Sequence, residues 1–177
     1  MSEEIKIKNQ TTYDYAAYLE LNKFNLYTRR RASLTFLIVC IVILMLSGIF
    51  LIALDRVVNG IFYMCIAAFF IVFTIMLPHI QSKKVYRSDN LLNQDGLHNE
   101  FLFYENELEV INQFSNTKLE YEKIYQAYET NDYFYLFMNK IQTFIVEKSG
   151  FESTGDMEKF RELIKEKLGE KYIKKCK

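Results

Sequence analysis

The chain has 177 residues but only three cysteines, two histidines, one proline and six glycines, and no tryptophan. Each shortage removes a class of function. Cys40 and Cys65 lie inside long apolar runs and Cys176 is next to the last residue, so no pair has the spacing of a disulfide scaffold or a CxxC site. With only His79 and His98 besides, a zinc site would need ligands from separate regions. The sequence therefore predicts no metal and no cofactor. The glycines are scattered singly, without a phosphate-cradling loop, and no serine, cysteine or histidine stands in a recognised nucleophile motif.

Charge is balanced overall, 22 basic against 22 acidic side chains, and the mean hydropathy of −0.05 is that of an ordinary soluble chain. The average conceals a partition. Ala32 to Leu54 is a run of 23 residues without a charge. As a helix it reaches roughly 34 Å, enough for a hydrocarbon layer about 30 Å thick. After Asp55 and Arg56 the chain is again uncharged from Val57 to Leu77, and Asn59-Gly60 is a turn signal that moves the expected start of the second helix to Ile61. A core helix of a soluble protein keeps a polar edge, whereas Leu34–Ile52 offers only Thr35, Cys40, Ser47 and Gly48. The first run also begins too far into the chain, and is too long, for a cleaved signal peptide. Residues 32–80 therefore read as a two-helix transmembrane hairpin.

Cations decide its orientation. Arg29, Arg30 and Arg31 precede the first run and Lys83, Lys84 and Arg87 follow the second, whereas the connection holds only Arg56. Lysine and arginine beside a span resist translocation, so both termini are expected in the cytoplasm, with these six side chains at the membrane interface. Pro78 is expected to end the second helix, and His79 to meet headgroups there.

Residues 1–31 read as a leader. "EIKIKNQ" alternates like a strand, and "TTYDYAAYLELNKFNLYTRRR" has the period of an amphipathic helix, with Thr11 or Thr12 as N-cap and Asp14 in the first turn. Its apolar side is expected to pack on the cytoplasmic part. Residues 81–177 form that part. From Ser88 onward there are 12 Lys and Arg against 17 Asp and Glu, an acidic balance that repels nucleic acid. "EFLFY", "ELEVINQ", "KLEYEKI", "IYQAYET", "YFYLFM" and "IQTFIVE" are short, rich in aromatic and β-branched residues, and separated by Glu105-Asn106, Ser115-Asn116, Asn131-Asp132 and Asn139-Lys140. They predict an antiparallel meander. "TGDMEKFRELIKEKLGEKYIKK" follows as an amphipathic helix, capped by Thr154 or Asp156, with Met157, Phe160, Ile164, Leu168 and Tyr172 on one side. The fold class is thus a membrane α-helical hairpin plus an α+β domain, its antiparallel sheet curved or closed into a partly open barrel by the C-terminal helix.

With its "TTYDYAAYLELNKF" leader, basic-flanked double run, "NEFLFYENELEV" strand pair and "ETNDYFYLFMNKIQTFIVEKSGF", the chain resembles the YcxB-like family of bacterial membrane proteins. The resemblance implies a pleckstrin-homology-like cytoplasmic fold on a two-helix anchor in the bacterial cytoplasmic membrane. It brings no catalytic residues with it.

Glu105, Glu107 and Glu109 are the best constellation for acid–base chemistry, the last two on one strand face about 7 Å apart, but solvated carboxylates on an exposed strand account for them equally well. The chain is accordingly expected not to be an enzyme. In "YFYLFM" both alternating sets are apolar. One set faces the core; the other, Tyr133, Tyr135 and Phe137, is either covered within the domain or a surface for a protein partner or a second copy. The leading functional expectation is a membrane-anchored, non-catalytic binding or regulatory module whose partners are the lipid bilayer and a protein or a second copy. The alternative is an assembly subunit or immunity-type protein acting through its helices, with Ser47, Gly48, Gly60, Ala67 and Ala68 as small packing surfaces.

Overall fold

A computed structural model describes residues 7–90, 96–139 and 142–175, with the side chains of residues 89 and 90 left aside. Cys176, Lys177, Lys140 and the first residues of "EIKIKNQ" fall outside that range. The chain divides into two compact units: a head comprising Met1–Ala17 and Asp89–Lys177, and a helical unit, Tyr18–Ser88.

The head begins with β1 (Ile7–Tyr13). Its alternating burial follows the sequence alternation, since Ile7, Asn9, Thr11 and Tyr13 point inward while Lys8, Gln10 and Thr12 point out. Thr11 and Thr12, expected to cap a helix, are residues of this strand. Helix α1 (Tyr15–Phe24) is capped instead by Asp14, whose Oδ1 accepts from the Ala17 N–H at 2.7 Å. After the helical unit in sequence come β2 (Leu97–Phe103), β3 (Glu107–Asn112) and β4 (Asn116–Glu120), then β5 (Gln126–Glu129), β6 (Tyr133–Phe137) and β7 (Thr143–Glu147). All six expected strands are present. The seventh, β1, pairs antiparallel with β2 from Ile7↔Phe103 to Tyr13↔Leu97, so the first strand is separated from its neighbour by the whole helical unit.

Helix α4 (Thr154–Leu168) is capped by Ser153, whose Oγ accepts from the Asp156 N–H, in place of the expected Thr154 or Asp156. Phe160, Ile164 and Leu168 bury its apolar stripe. It ends at Gly169, whose φ of +51° suits a residue without a Cβ, and the chain continues as β8 (Tyr172–Lys174). Tyr172 is therefore a strand residue and not part of the helical stripe.

Two four-stranded sheets result, ordered β1-β2-β3-β4 and β7-β6-β5-β8, with β8 parallel to β5 and every other pair antiparallel. They do not close into a barrel. Phe101 and Phe103 from the first sheet, Phe134 from the second, Phe151 and Phe160 form a continuous aromatic core, the Phe103 and Phe160 ring centres 4.3 Å apart. Each such fully buried ring contributes about 1.5–3 kcal/mol by leaving water.

In the helical unit, α1 passes through a π-helical turn, Asn25–Arg29, into α2 (Arg31–Ala53). After a tight connection in which Asp55 adopts φ +58°, α3 (Val57–Asn90) begins. Gly60 thus lies inside a helix; the turn falls at Leu54–Arg56. Pro78 does not end α3, which continues for twelve residues beyond it. Ser82 Oγ donates to the Pro78 carbonyl at 2.7 Å and accepts from Asn22 Nδ2 at 2.9 Å, tying α1 to the continued helix. Arg31–Ala53 and Val57–Ser88 are both long and apolar enough to cross a membrane.

Candidate functional site

A carboxylate sits where four elements of the head meet. Glu129, the last residue of β5, is fully buried. It accepts from Lys148 Nζ at 2.7 Å, from Arg161 Nε at 3.1 Å and Nη2 at 2.8 Å, and from the Tyr172 hydroxyl. Lys148 follows β7, Arg161 is on α4 and Tyr172 opens β8, so one anion holds the C-terminal helix and strand to the second sheet. Burial by itself would raise this carboxyl, but the hydrogen bonds from Arg161, Lys148 and Tyr172 outweigh it and hold the group at about 2. Arg161 also pairs with Glu158. Chemically, a carboxylate engaged by three side chains is a clamp; its lone pairs are already spent. The sequence carried a faint signal of it: an acid ending a strand of buried neighbours, and an arginine between the apolar positions of α4.

A second polar seam joins the edges of the two sheets. Asn9 Nδ2 donates to the Glu147 carbonyl at 2.8 Å, the Glu147 N–H donates to Thr11 Oγ1 at 2.9 Å, and the Ile145 N–H donates to the Tyr13 hydroxyl oxygen at 2.8 Å. Three alternate side chains of β1 thus substitute for a backbone ladder along β7. Asn9 is fully buried and Thr11 nearly so, and Thr11 also donates to Asn9 Oδ1. The burial of these polar groups, read from the sequence as a leader, follows from this task.

Glu105 lies in the β2–β3 turn, while Glu107 and Glu109 share one face of β3, Glu107 half-buried and Glu109 buried, so Glu109 is not the solvated carboxylate of an exposed strand. Glu109 accepts from Asn116 Nδ2 at 2.7 Å and from the Tyr104 hydroxyl at 3.0 Å, and Lys118 Nζ lies 3.3 Å from Glu107 and 3.8 Å from Glu109. The Asn116 and Tyr104 hydrogen bonds hold the Glu109 carboxyl below its usual range. Burial and the bond to Glu109 push the Tyr104 phenol up. These carboxylates bind β3 to β4. His98 pairs with Thr12 across β1 and β2 at 2.8 Å, and among the described residues no group of His, Cys, Asp and Glu could hold a metal ion.

Tyr133, Tyr135 and Phe137, singled out as a partner surface, are not an open face. Tyr135 and Phe137 are each 1% exposed and Tyr133 is half-buried. The other set, Phe134 and Leu136, is buried as well. On one face the Tyr128 ring of the neighbouring β5 meets Phe137 edge-on and Tyr133 stacks on Tyr135; on the other, Phe134 packs on Phe151 and on Phe160 of α4.

In the helical unit, Arg29 ends the π-turn, Arg30 and Arg31 start α2, and Lys83, Lys84 and Arg87 lie in the last part of α3. Arg30 lines the same small cavity as Pro78 and Gln81, so the two basic clusters share one end of the helix pair. The small residues have a local role. A Cβ on Gly48 would lie 3.0 Å from the Gly60 carbonyl oxygen, and one on Gly60 would lie 2.6 Å from that of Gly48, so α2 and α3 cross here at backbone contact. Ala67 is also buried, whereas Ala68 is exposed.

These features define a class: a β-rich head interrupted after its first strand by a pair of long apolar helices. Residues 103–164 match the model of the YcxB-like protein family, which places the family likeness in the head, from the end of β2 to Ile164 of α4. The segment matched contains Glu129, Lys148 and Arg161, three of the four residues of the buried cluster. No curated protein and no solved structure matches the chain.

Proposed function

We propose that the chain is a membrane-anchored, non-catalytic binding or regulatory module, with a pleckstrin-homology-like head held on the cytoplasmic side of a two-span anchor. The observation that carries this reading is the pairing of Tyr13 with Leu97. The chain leaves one sheet at Tyr13 and re-enters it at Leu97, so a hairpin that crosses the bilayer must return to the side it left. Arg29 to Arg31 and Lys83, Lys84 and Arg87 favour that side being the cytoplasm. Two four-stranded sheets, with one amphipathic helix after the seventh strand, support the pleckstrin-homology-like reading of the head. The occupation of Gly48, Gly60 and Ala67 by contacts within the hairpin supports the head, in preference to the helices, as the part that meets a partner.

The test is labelling in sealed cells with a thiol reagent that cannot cross membranes, on a chain in which Cys40 and Cys65 are replaced by serine. A Val58→Cys substitution, exposed in the first turn of α3 beside the connection, is expected to react from outside, and Cys176 only after permeabilisation. Reaction of Cys176 in sealed cells overturns the topology. Replacing Ala32–Ile80 with an unrelated spanning hairpin should leave partner capture by the head unchanged; its loss would move the function to the helices.

A further inference from the structure

We propose that the open edge of β4 pairs antiparallel with the same strand of a second copy, joining two heads through one continuous sheet. The inference deepens the reading above, in which the head is the part that meets a partner, and rests on it. The fold treats its sheet edges unequally. β1 and β7 are joined by the seam of Asn9, Thr11 and Tyr13, and β8 is only three residues long. β4 has five residues, and among the described residues no strand lies beyond it. Its backbone is set for a further neighbour. The Asn112 N–H donates to the Ser115 carbonyl at 2.9 Å, and in that register Thr117 and Leu119 bond to β3, so the N–H and C=O groups of Asn116, Lys118 and Glu120 point away from it. Such an unpaired row is a template for another strand.

Charge selects the occupant and the register. Glu120 stands directly opposite Glu107, a like-charged pair, while Lys118 lies on the same face of β4 with its Nζ 3.3 Å from Glu107. A lysine in the middle of an edge strand ordinarily keeps other strands away. With the two-fold axis at Leu119 that obstacle becomes a match: Lys118 lies opposite the second copy's Glu120, and Glu120 opposite its Lys118. These two pairs exchange four backbone hydrogen bonds, and Leu119 meets its own copy on the other face. An axis at Lys118 would set the two ammonium groups opposite each other. The flanks agree with the first arrangement. Among the described residues of the head, Phe114 and Tyr125 are the large apolar side chains left exposed, at 58% and 52%, and they bracket β4 in sequence. Antiparallel pairing brings the Phe114 end of each strand to the Tyr125 end of the other, and exposed aromatics are the side chains enriched at protein interfaces. Two chains anchored in one membrane meet at a raised effective concentration, which lets so short a contact hold.

The experiment is disulfide cross-linking with copper-phenanthroline in isolated membranes, on the full-length chain with Cys40, Cys65 and Cys176 replaced by serine. Leu119→Cys places two thiols on a non-hydrogen-bonded antiparallel pair, where the Cα atoms are about 4.5 Å apart and a disulfide can form. Thr117→Cys would hold them about 14 Å apart, out of reach. A covalent dimer from the first and none from the second is expected. Added to Leu119→Cys, either Lys118→Glu or Glu120→Lys should lower cross-linking about tenfold, since each turns two complementary pairs into two like-charged ones. Co-expression of the two variants should restore it, because each supplies the charge the other lacks, and that recovery shows that both are folded. Stronger cross-linking from Thr117→Cys or Lys118→Cys than from Leu119→Cys, indifference to the charge changes, or no recovery in the mixture overturns the proposal. The reading beneath it fails separately. Cross-linking that is lost when Ala32–Ile80 is exchanged for an unrelated hairpin moves association to the helices and overturns both; its absence with either hairpin overturns the edge pairing alone.

Discussion

The Ile145 N–H donates to the hydroxyl oxygen of Tyr13 at 2.8 Å, joining residues 132 positions apart in sequence and on opposite sides of the apolar hairpin. Tyr13 is 7% exposed, so removing its oxygen strands a buried N–H that water cannot reach. Tyr13→Phe is expected to destabilise the head by about 1–3 kcal/mol, measured by chemical denaturation. Burial also pushes the Tyr13 phenol well up, against a smaller opposing effect of the Ile145 bond. A raised group gives stability that is present below the ordinary tyrosine value of 10 and is lost as pH rises above it. The wild-type head should therefore lose stability in alkali more steeply than Tyr13→Phe.

The seam between β1 and β7 makes the first strand indispensable. A fragment of residues 96–175 lacks the strand that pairs all along β2, and leaves the N–H groups of Ile145 and Glu147 without the acceptors that Tyr13 and Thr11 supply. It should be aggregated or unfolded. Because Tyr13 stands opposite Leu97, joining Ile7–Tyr13 to Gly96 by a short glycine-serine turn should restore a cooperative unfolding transition. Equal folding of both fragments, followed by circular dichroism on heating, would show that β1 is dispensable.

Glu129 gives the head a pH limit. Its carboxyl moves from the ordinary value of 4.5 to about 2 on folding. A depressed carboxyl contributes stability that is fully present above 4.5 and lost as pH falls toward 2, on the order of 3 kcal/mol in all. Glu129→Gln leaves Lys148 and Arg161 beside a neutral amide and is expected to cost about 3–5 kcal/mol at neutral pH, as for a broken buried pair. In the variant, stability should depend much less on pH between 4.5 and 2. A wild-type unfolding curve flat across that window would contradict the clamp.

The parts of the fold legible in the sequence are those written in local periodicity. Alternation located β2 to β7, and the spacing of Phe160, Ile164 and Leu168 located α4. Features decided at a distance were misread. Asn59-Gly60 resembles a turn, but Gly60 serves the crossing with Gly48, and the chain turns at Asp55. Pro78 resembles a stop, yet α3 passes through it and is clamped through Ser82 and Asn22. β8 reads as helix because Tyr172 continues the three- and four-residue spacing of Phe160, Ile164 and Leu168; its place depends on Tyr172 reaching Glu129, 43 positions earlier. The aromatic alternation of "YFYLFM" announced an apolar strand correctly but was silent on which neighbours flank it.

The Gly48–Gly60 crossing yields a sharp test of the hairpin itself. Any side chain at Gly60 must displace the Gly48 carbonyl, because the added Cβ would lie 2.6 Å from its oxygen, and backbone has little freedom to yield in a packed helix pair. Gly60→Leu should separate α2 from α3 and lower the thermal stability of the purified chain in detergent by about 1–3 kcal/mol. Ala68→Leu, an exposed position one helix face away, adds similar bulk without meeting α2 and should change little. If the two substitutions act alike, lipid or detergent contacts and not the glycine crossing set the stability of the hairpin.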